Sequence, residues 1–248
     1  MKAIERLDKW TIDLIGIAIL GQGGREKSVF IRLCELFNGL TTYHKIYIIP
    51  KRVYGGRTGF SALRGLRFLI RHYGELPTNI ILLIDYDVLI NSSLLNSDPG
   101  KKLGQVIEKY TGCFISDNVI QYRNHYGIYL VTSIKCDRYD YQLHILASGS
   151  HEVPIIEYNL LMLLRDYMME NLPETKLLMD IEKDLEKLYE ITDIHRRKDL
   201  VKGLYSRYKK LSGIKTTNNL LKYMNMNRAR KYFIHIVLFF IHIFLINF

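Results

Sequence analysis

Cysteine and proline are scarce in this chain, with 3 and 5 among 248 residues. Cys34, Cys113 and Cys136 stand far apart, no Cys-x-x-Cys pair occurs, and no secretory signal opens the sequence. That pattern leaves no framework for a structural zinc site and fits a reducing, cytoplasmic interior. Cys34 falls on an apolar helical face and reads as core. Internal repeats and low-complexity linkers are lacking too. So is a Gly-x4-Gly-Lys-Ser/Thr loop, and an ATPase partner would therefore come from another chain. Acidic residues are in deficit, 25 against 35 Lys and Arg, for a formal charge of +10. A basic balance favours a polyanionic partner, nucleic acid first and an anionic membrane surface second.

Apolar residues are not lacking. They make up 48% of the chain, with 18 Tyr and 10 Phe, which excludes disorder over most of its length. The length suffices for one large domain or a domain with an appendage. Residues 12–20 (IDLIGIAIL) read as a first strand, 21–27 (GQGGREK) as a glycine-rich turn, and 28–37 as a helix closed by Asn38-Gly39. A short strand at 46–49 ends at Pro50, and a polar glycine loop (KRVYGGRTGF) leads into a basic amphipathic helix at 61–73. This strand–helix alternation predicts a mainly parallel α/β sheet with a site at its carboxyl edge. Beyond it, 101–111 reads as a helix, and 118–121, 127–134 and 142–147 as strands. Residues 154–171, 175–189, 198–211 and 218–226 read as helices. The expected organisation is an α/β domain over 1–171, a helical basic region over 172–231 and a hydrophobic tail over 232–248.

That tail (YFIHIVLFFIHIFLINF) holds no Lys, Arg, Asp or Glu, and Arg228, Arg230 and Lys231 precede it. A membrane span needs about 20 residues, so the tail is marginal as an anchor. Its alternatives are a terminal element buried in the core or an interface, and a tail altered by a frameshift.

The chemistry centres on residues 80–90 (IILLIDYDVLI). A continuously apolar run reads as a central strand covered on both faces, delivering Asp85 and Asp87 to its carboxyl end. Carboxylates at i and i+2 of an extended chain point the same way, and such an oxygen-rich pair suits Mg²⁺ or Mn²⁺. The plainer alternative is a pair of loop aspartates that cap a helix or stay solvated.

Together, the glycine turn after the first strand, the glycine loop with its helix, and Asp85-Tyr86-Asp87 resemble a Toprim domain. That is the metal-binding α/β module of topoisomerases, primases and OLD-type nucleases. The resemblance covers roughly residues 12–135. In the family, a Glu-Gly-x-x-Asp type turn follows the first strand; here Gly23 matches the glycine and Glu26 the second acid, while Gln22 stands where the glutamate belongs. The resemblance implies a Mg²⁺-dependent protein acting on nucleic acid by phosphodiester cleavage, with Asp85 and Asp87 holding the metal and Glu26 or Gln22 completing the site. A glutamine offers a carbonyl oxygen but shuttles no proton near neutral pH. A degenerate, nucleic-acid-binding or defence-accessory protein is therefore the alternative. In some Toprim-like families an acidic residue after the domain core joins the site, which makes Glu157 a candidate, although a helix-start glutamate also serves the dipole.

Lys27 is a candidate phosphate ligand at the start of the first helix. Arg57 follows the Gly55-Gly56 loop, and Arg64, Arg67 and Arg71 share one helical face that could track a phosphate backbone. That face could equally be solvated. The tyrosines of 122–141 could stack bases or fill a β-rich core. His125, His144 and His151 lack metal-ligand spacing and read as structural. The strand motif also resembles the Asp-x-Asp of nucleotide-sugar glycosyltransferases, where the aspartates bind Mn²⁺ and diphosphate.

Overall fold

The computed structural model describes residues 1–5, 13–21, 23–38, 44–94, 99–172 and 176–246. Ile12, Gln22, Gly39 and Pro173, each used above, lie outside them.

In chain order the elements are β1 (Lys2–Ile4), β2 (Leu14–Leu20), α1 (Gly24–Phe37), β3 (Lys45–Ile48), α2 (Arg64–Tyr73), β4 (Asn79–Asp85) and α3 (Tyr86–Asn91). Then come α4 (Pro99–Thr111), β5 (Phe114–Ile115), β6 (Ile120–Asn124), β7 (Gly127–Cys136), β8 (Tyr139–Ser148) and α5 (Ile156–Asn171). The chain continues through α6 (Lys176–Glu190), α7 (Ile194–Leu211), α8 (Thr217–Leu221), α9 (Met226–Tyr232) and α10 (Ile234–Ile246). The strands form one 8-stranded sheet in the order β1-β3-β2-β4-β8-β7-β5, with β6 also on β7. From β1 to β8 the pairs are parallel, and β7 turns antiparallel to β8, β5 and β6. The α/β expectation is met.

β4 shows why. Ile81 and Leu83 point into one apolar layer, and Ile80, Leu82 and Ile84 into the other, so a strand buried on both faces needs an unbroken apolar run. The second layer is covered by α2 and α4, the first by α1 and by α5 through α10. All helices from residue 176 onward share the core of α1 and the sheet, so the change of element type near 171 is not a gap in the packing.

The apolar run at 232–248 belongs to that core. Phe233, Ile236, Val237, Phe239, Phe240 and Ile243 are buried, and Phe240 stacks on Phe37 at 4.7 Å and Phe30 at 5.7 Å. His235, which sits awkwardly in an apolar run, meets Ser148 Oγ at 3.0 Å. A Cβ at Gly127 would lie 2.3 Å from His235 Nδ1, so only glycine leaves room for the ring. Among the described residues no helix is long and apolar enough to cross a membrane.

Four sequence expectations need correction. The strand carrying Asp85 stops there, and Asp87 lies in the first turn of α3. Helix α1 begins at Gly24, so Glu26 and Lys27 are helical rather than in a turn. The single helix expected at 218–226 is two short ones, because Asn225 caps a new start at α9 by accepting from Arg228 N. Finally, the cysteines are not all free: Cys113 and Cys136 form a disulfide, joining the end of α4 to the β7–β8 turn. Cysteine usage therefore gives no argument for a reducing compartment, while Cys34 is free and buried as expected.

Candidate carboxylate site

The chain runs from β2 outward to β3, then returns to place β4 on the other side of β2. The connections leaving β2 and β4 thus diverge, and the crevice at their carboxyl ends is where ligands bind in open α/β sheets. Gly21 donates its N–H to Leu83 O at 2.7 Å and accepts from Gly59 N at 2.6 Å. A Cβ at Gly21 would lie 2.5 Å from Ile84 Cγ2 and 2.9 Å from Leu83 O, so this crossing of backbones requires glycine. It fixes the start of α1 beside the end of β4.

Three buried carboxyl groups converge there. Glu26 comes from the first turn of α1, Asp85 from the end of β4 and Glu157 from the first turn of α5; they are 4%, 9% and 6% exposed. They line one cleft of about 460 Å³ with Gly23, Gly24, Arg25, Ser28, Lys202 and Thr217. Burial pushes Asp85 up to about 9, and repulsion from Glu26 and Glu157 adds to it. Burial likewise pushes Glu26 up to about 7, with repulsion from Glu157 in the same direction. Glu26 Oε2 is buried with no hydrogen-bond partner among the described residues.

The other carboxyl oxygens are partly committed. Asp85 Oδ1 accepts the N–H of Ile156 at 3.0 Å, capping α5, whose own first residues offer no side-chain cap. The plainer reading of Asp85 as a helix cap is thus real for one of its oxygens. Arg25 forms an ion pair with Glu157 and lies over the Tyr205 ring at 5.4 Å. Lys198 of α7 forms an ion pair with Asp87, whose Oδ1 is buried and has no hydrogen-bond partner among the described residues. Among the described residues no group of three His, Cys, Asp or Glu side chains is arranged to hold a metal ion as it stands. Still, the chemistry of the donors suits one: oxygen-only, acidic and mutually repelling, with an orphaned oxygen in the cleft.

Of the residues the sequence singled out, the structure brings Glu26, Asp85 and Glu157 together. Asp87 is turned toward Lys198, and Gln22 is outside the described residues. Lys27 pairs with Glu5 at 2.6 Å, and Arg57 donates to Tyr54 O at 3.0 Å. The arginines of α2 are exposed, but Arg67 and Arg71 flank Cys113, Cys136 and Asp137 at the amino-terminal edge of the parallel strands, opposite the carboxylates. His144 is structural as expected, held between Tyr129 OH and Asn79 Oδ1 at 3.0 Å each.

Arg25 and Lys202, which line the cleft, and Lys198, which pairs with Asp87, were not foreseen. Lys198 and Lys202 are four residues apart on α7, hence on one face. That spacing was readable, but nothing in the sequence says that α7 packs on α5. Lys202 lines the cleft, is exposed and makes no ion pair among the described residues, and Lys51, which attracts Glu26, makes none there either. Comparison with family models, curated proteins and solved structures returns no match to this chain. The fold and cleft define an α/β protein with a buried acidic site at the sheet switch point.

Proposed function

We propose that this chain is a Toprim-like, Mg²⁺- or Mn²⁺-dependent protein that cleaves phosphodiester bonds in nucleic acid. The observation that carries the reading is the meeting of Glu26, Asp85 and Glu157 in one cleft with an unpartnered carboxylate oxygen. Burying three like-charged acids costs stability unless they share protons or a cation. Asp85, Glu26 and Glu157 would hold the cation, which when bound supplies Lewis-acid stabilisation of a phosphate and an acidified water. As a ligand of that cation, Glu26 would supply the acid beside Asp85 that Gln22 does not. Lys202 faces the incoming phosphate, and the charge of +10 draws a polyanion to the molecule.

A second reading, a degenerate binding module, is favoured by the ion pairs themselves. Arg25 and Lys198 already neutralise Glu157 and Asp87, leaving less negative charge to attract a metal.

The test is cleavage of labelled single- and double-stranded DNA and RNA with Mg²⁺ or Mn²⁺. Glu26→Gln and Asp85→Asn serve as controls, since asparagine keeps an acceptor for Ile156 N. The expected result is cleavage by the native chain and its loss in both variants. No cleavage of any substrate, or cleavage that survives both substitutions, overturns the nuclease reading.

A further inference from the structure

Strand β6 lies at an open edge of the sheet. Among the described residues it pairs with β7 alone, on one side, and residues 120–125 are exposed without interruption. Edge strands of monomers are blunted by charged side chains, lysine above all, by proline, a bulge or a covering element. The sequence IQYRN has neither lysine nor proline, its one charged side chain, Arg123, lies over the Tyr86 ring, and its register from Ile120↔Val131 to Asn124↔Gly127 runs without a shift.

One face of this edge is apolar. Tyr129 and Val131 of β7 belong to the core layer beneath α10, so their cross-strand partners Tyr122 and Ile120 lie on that face. Phe114 of β5, opposite Lys135, has the same parity and continues the stripe. Phe114, Ile120 and Tyr122 are 60%, 48% and 44% exposed, and Tyr122 already stacks on Tyr129 at 5.7 Å. Because the hairpin closes at Asn124 and Gly127, the alternation of an antiparallel pair turns the N–H and C=O groups of Gln121 and Arg123 outward.

We propose that β6 pairs antiparallel with β6 of a second copy, across a two-fold axis at Tyr122. The outward N–H and C=O groups select a strand as the occupant, since neither a phosphate backbone nor a lipid surface supplies alternating donors and acceptors at strand spacing. A two-fold axis makes one strand its own complement. Charge then selects the register. Arg123 makes no ion pair among the described residues, its guanidinium lying 5.8 Å from the Tyr86 ring. Centring the axis on Arg123 would oppose two guanidiniums, whereas centring it on Tyr122 sets each against the Gln121 amide of the second copy. The two Tyr122 rings then meet directly on the apolar face, beside Ile120 and Phe114. Each β6 exchanges backbone hydrogen bonds through Gln121 and Arg123, and the two sheets become one.

The experiment is sedimentation velocity on the full chain, with far-UV circular dichroism to confirm folding. The native protein is expected at twice the 29.2 kDa chain mass. Tyr122→Lys and Tyr122→Glu each oppose like charges at the axis and are expected at the single-chain mass with unchanged dichroism. An equimolar mixture of the two variants is expected to return to the dimer mass, because lysine then faces glutamate. A native chain that sediments as a monomer at its highest soluble concentration overturns the proposal. So does a dimer that survives Tyr122→Lys, or a mixture that fails to restore the dimer.

Discussion

Deleting everything after Lys231 separates a core helix from a peripheral tail. The deletion removes Tyr232, Phe233, Ile236, Val237, Phe239, Phe240 and Ile243, all at most 1% exposed. At about 1.5–3 kcal/mol for each buried apolar side chain, the loss is roughly 10–20 kcal/mol, an upper estimate because the unfolded chain already buries some surface. It also uncovers Phe30 and Phe37 and takes away the carbonyl of Tyr232, which accepts from Asn159 Nδ2 at 2.6 Å. Whole domains are stable by about 5–15 kcal/mol. The shortened chain is therefore expected to be insoluble, or soluble without a cooperative melt. The assay is soluble yield followed by thermal unfolding read by near-UV circular dichroism. A gentler probe, Phe240→Ala, should cost about 3–5 kcal/mol in urea unfolding of the full chain. A shortened chain that melts cooperatively within a few degrees of the full chain refutes the reasoning, because α10 would then contribute little to the core.

Burial lowers His144 and His235 to about 3 each, so both are neutral in the fold while the unfolded chain protonates them near 6.5. Stability is fully present above that pH and lost as pH falls from about 6.5 toward 3, by up to about 1.4 kcal/mol per pH unit for each. Urea unfolding across this range, with a shallower slope in His235→Gln, checks it. The disulfide closes a loop with a sequence separation of 23, so Cys113→Ser with Cys136→Ser should lower stability by about 3 kcal/mol, and the denatured native chain should show one reactive thiol, Cys34. Mn²⁺ at a hundred times its dissociation constant should stabilise the native chain by about 2.7 kcal/mol and leave the Glu26→Gln, Asp85→Asn double variant unmoved; calorimetric melting decides this without reference to activity.

Much of this architecture was legible because its signals are local. Five apolar residues in a row, Ile80–Ile84, followed by turn formers at 91–99, read as a doubly covered strand, and the glycines of 21–24 mark a turn between strand and helix. The pairing of Asp85 with Glu26 rests on the resemblance of their strand end and turn to a Toprim domain. The rest depends on contacts far apart in sequence. Asp87 was misplaced because apolar Val88–Ile90 continues a strand pattern as readily as it starts a helix; what decides is Pro154 O, which accepts from Asp87 N at 3.2 Å. Cys113 and Cys136 are joined only because β5 and β7 bring the end of α4 beside the β7–β8 turn. Lys198 reaches Asp87 and Lys202 the cleft because α7 packs on α5, and no periodicity in α7 reports which helix it meets.

Asp85 answers two demands at once, and their difference bears on what the cleft is for. Capping α5 requires one acceptor oxygen for Ile156 N, and serine, threonine or asparagine does this as well as aspartate. None of those would repel Glu26 or Glu157. The fold instead buries a third acid beside two others, raising Asp85 to about 9, where a neutral cap carries no such cost. Arg25 offsets part of the charge through Glu157, but among the described residues Glu26 Oε2 has no donor in a cleft that has room for one. A cap alone does not account for that arrangement. Shared protons relieve the repulsion among Glu26, Asp85 and Glu157, and on the proposed reading a bound cation would relieve it too.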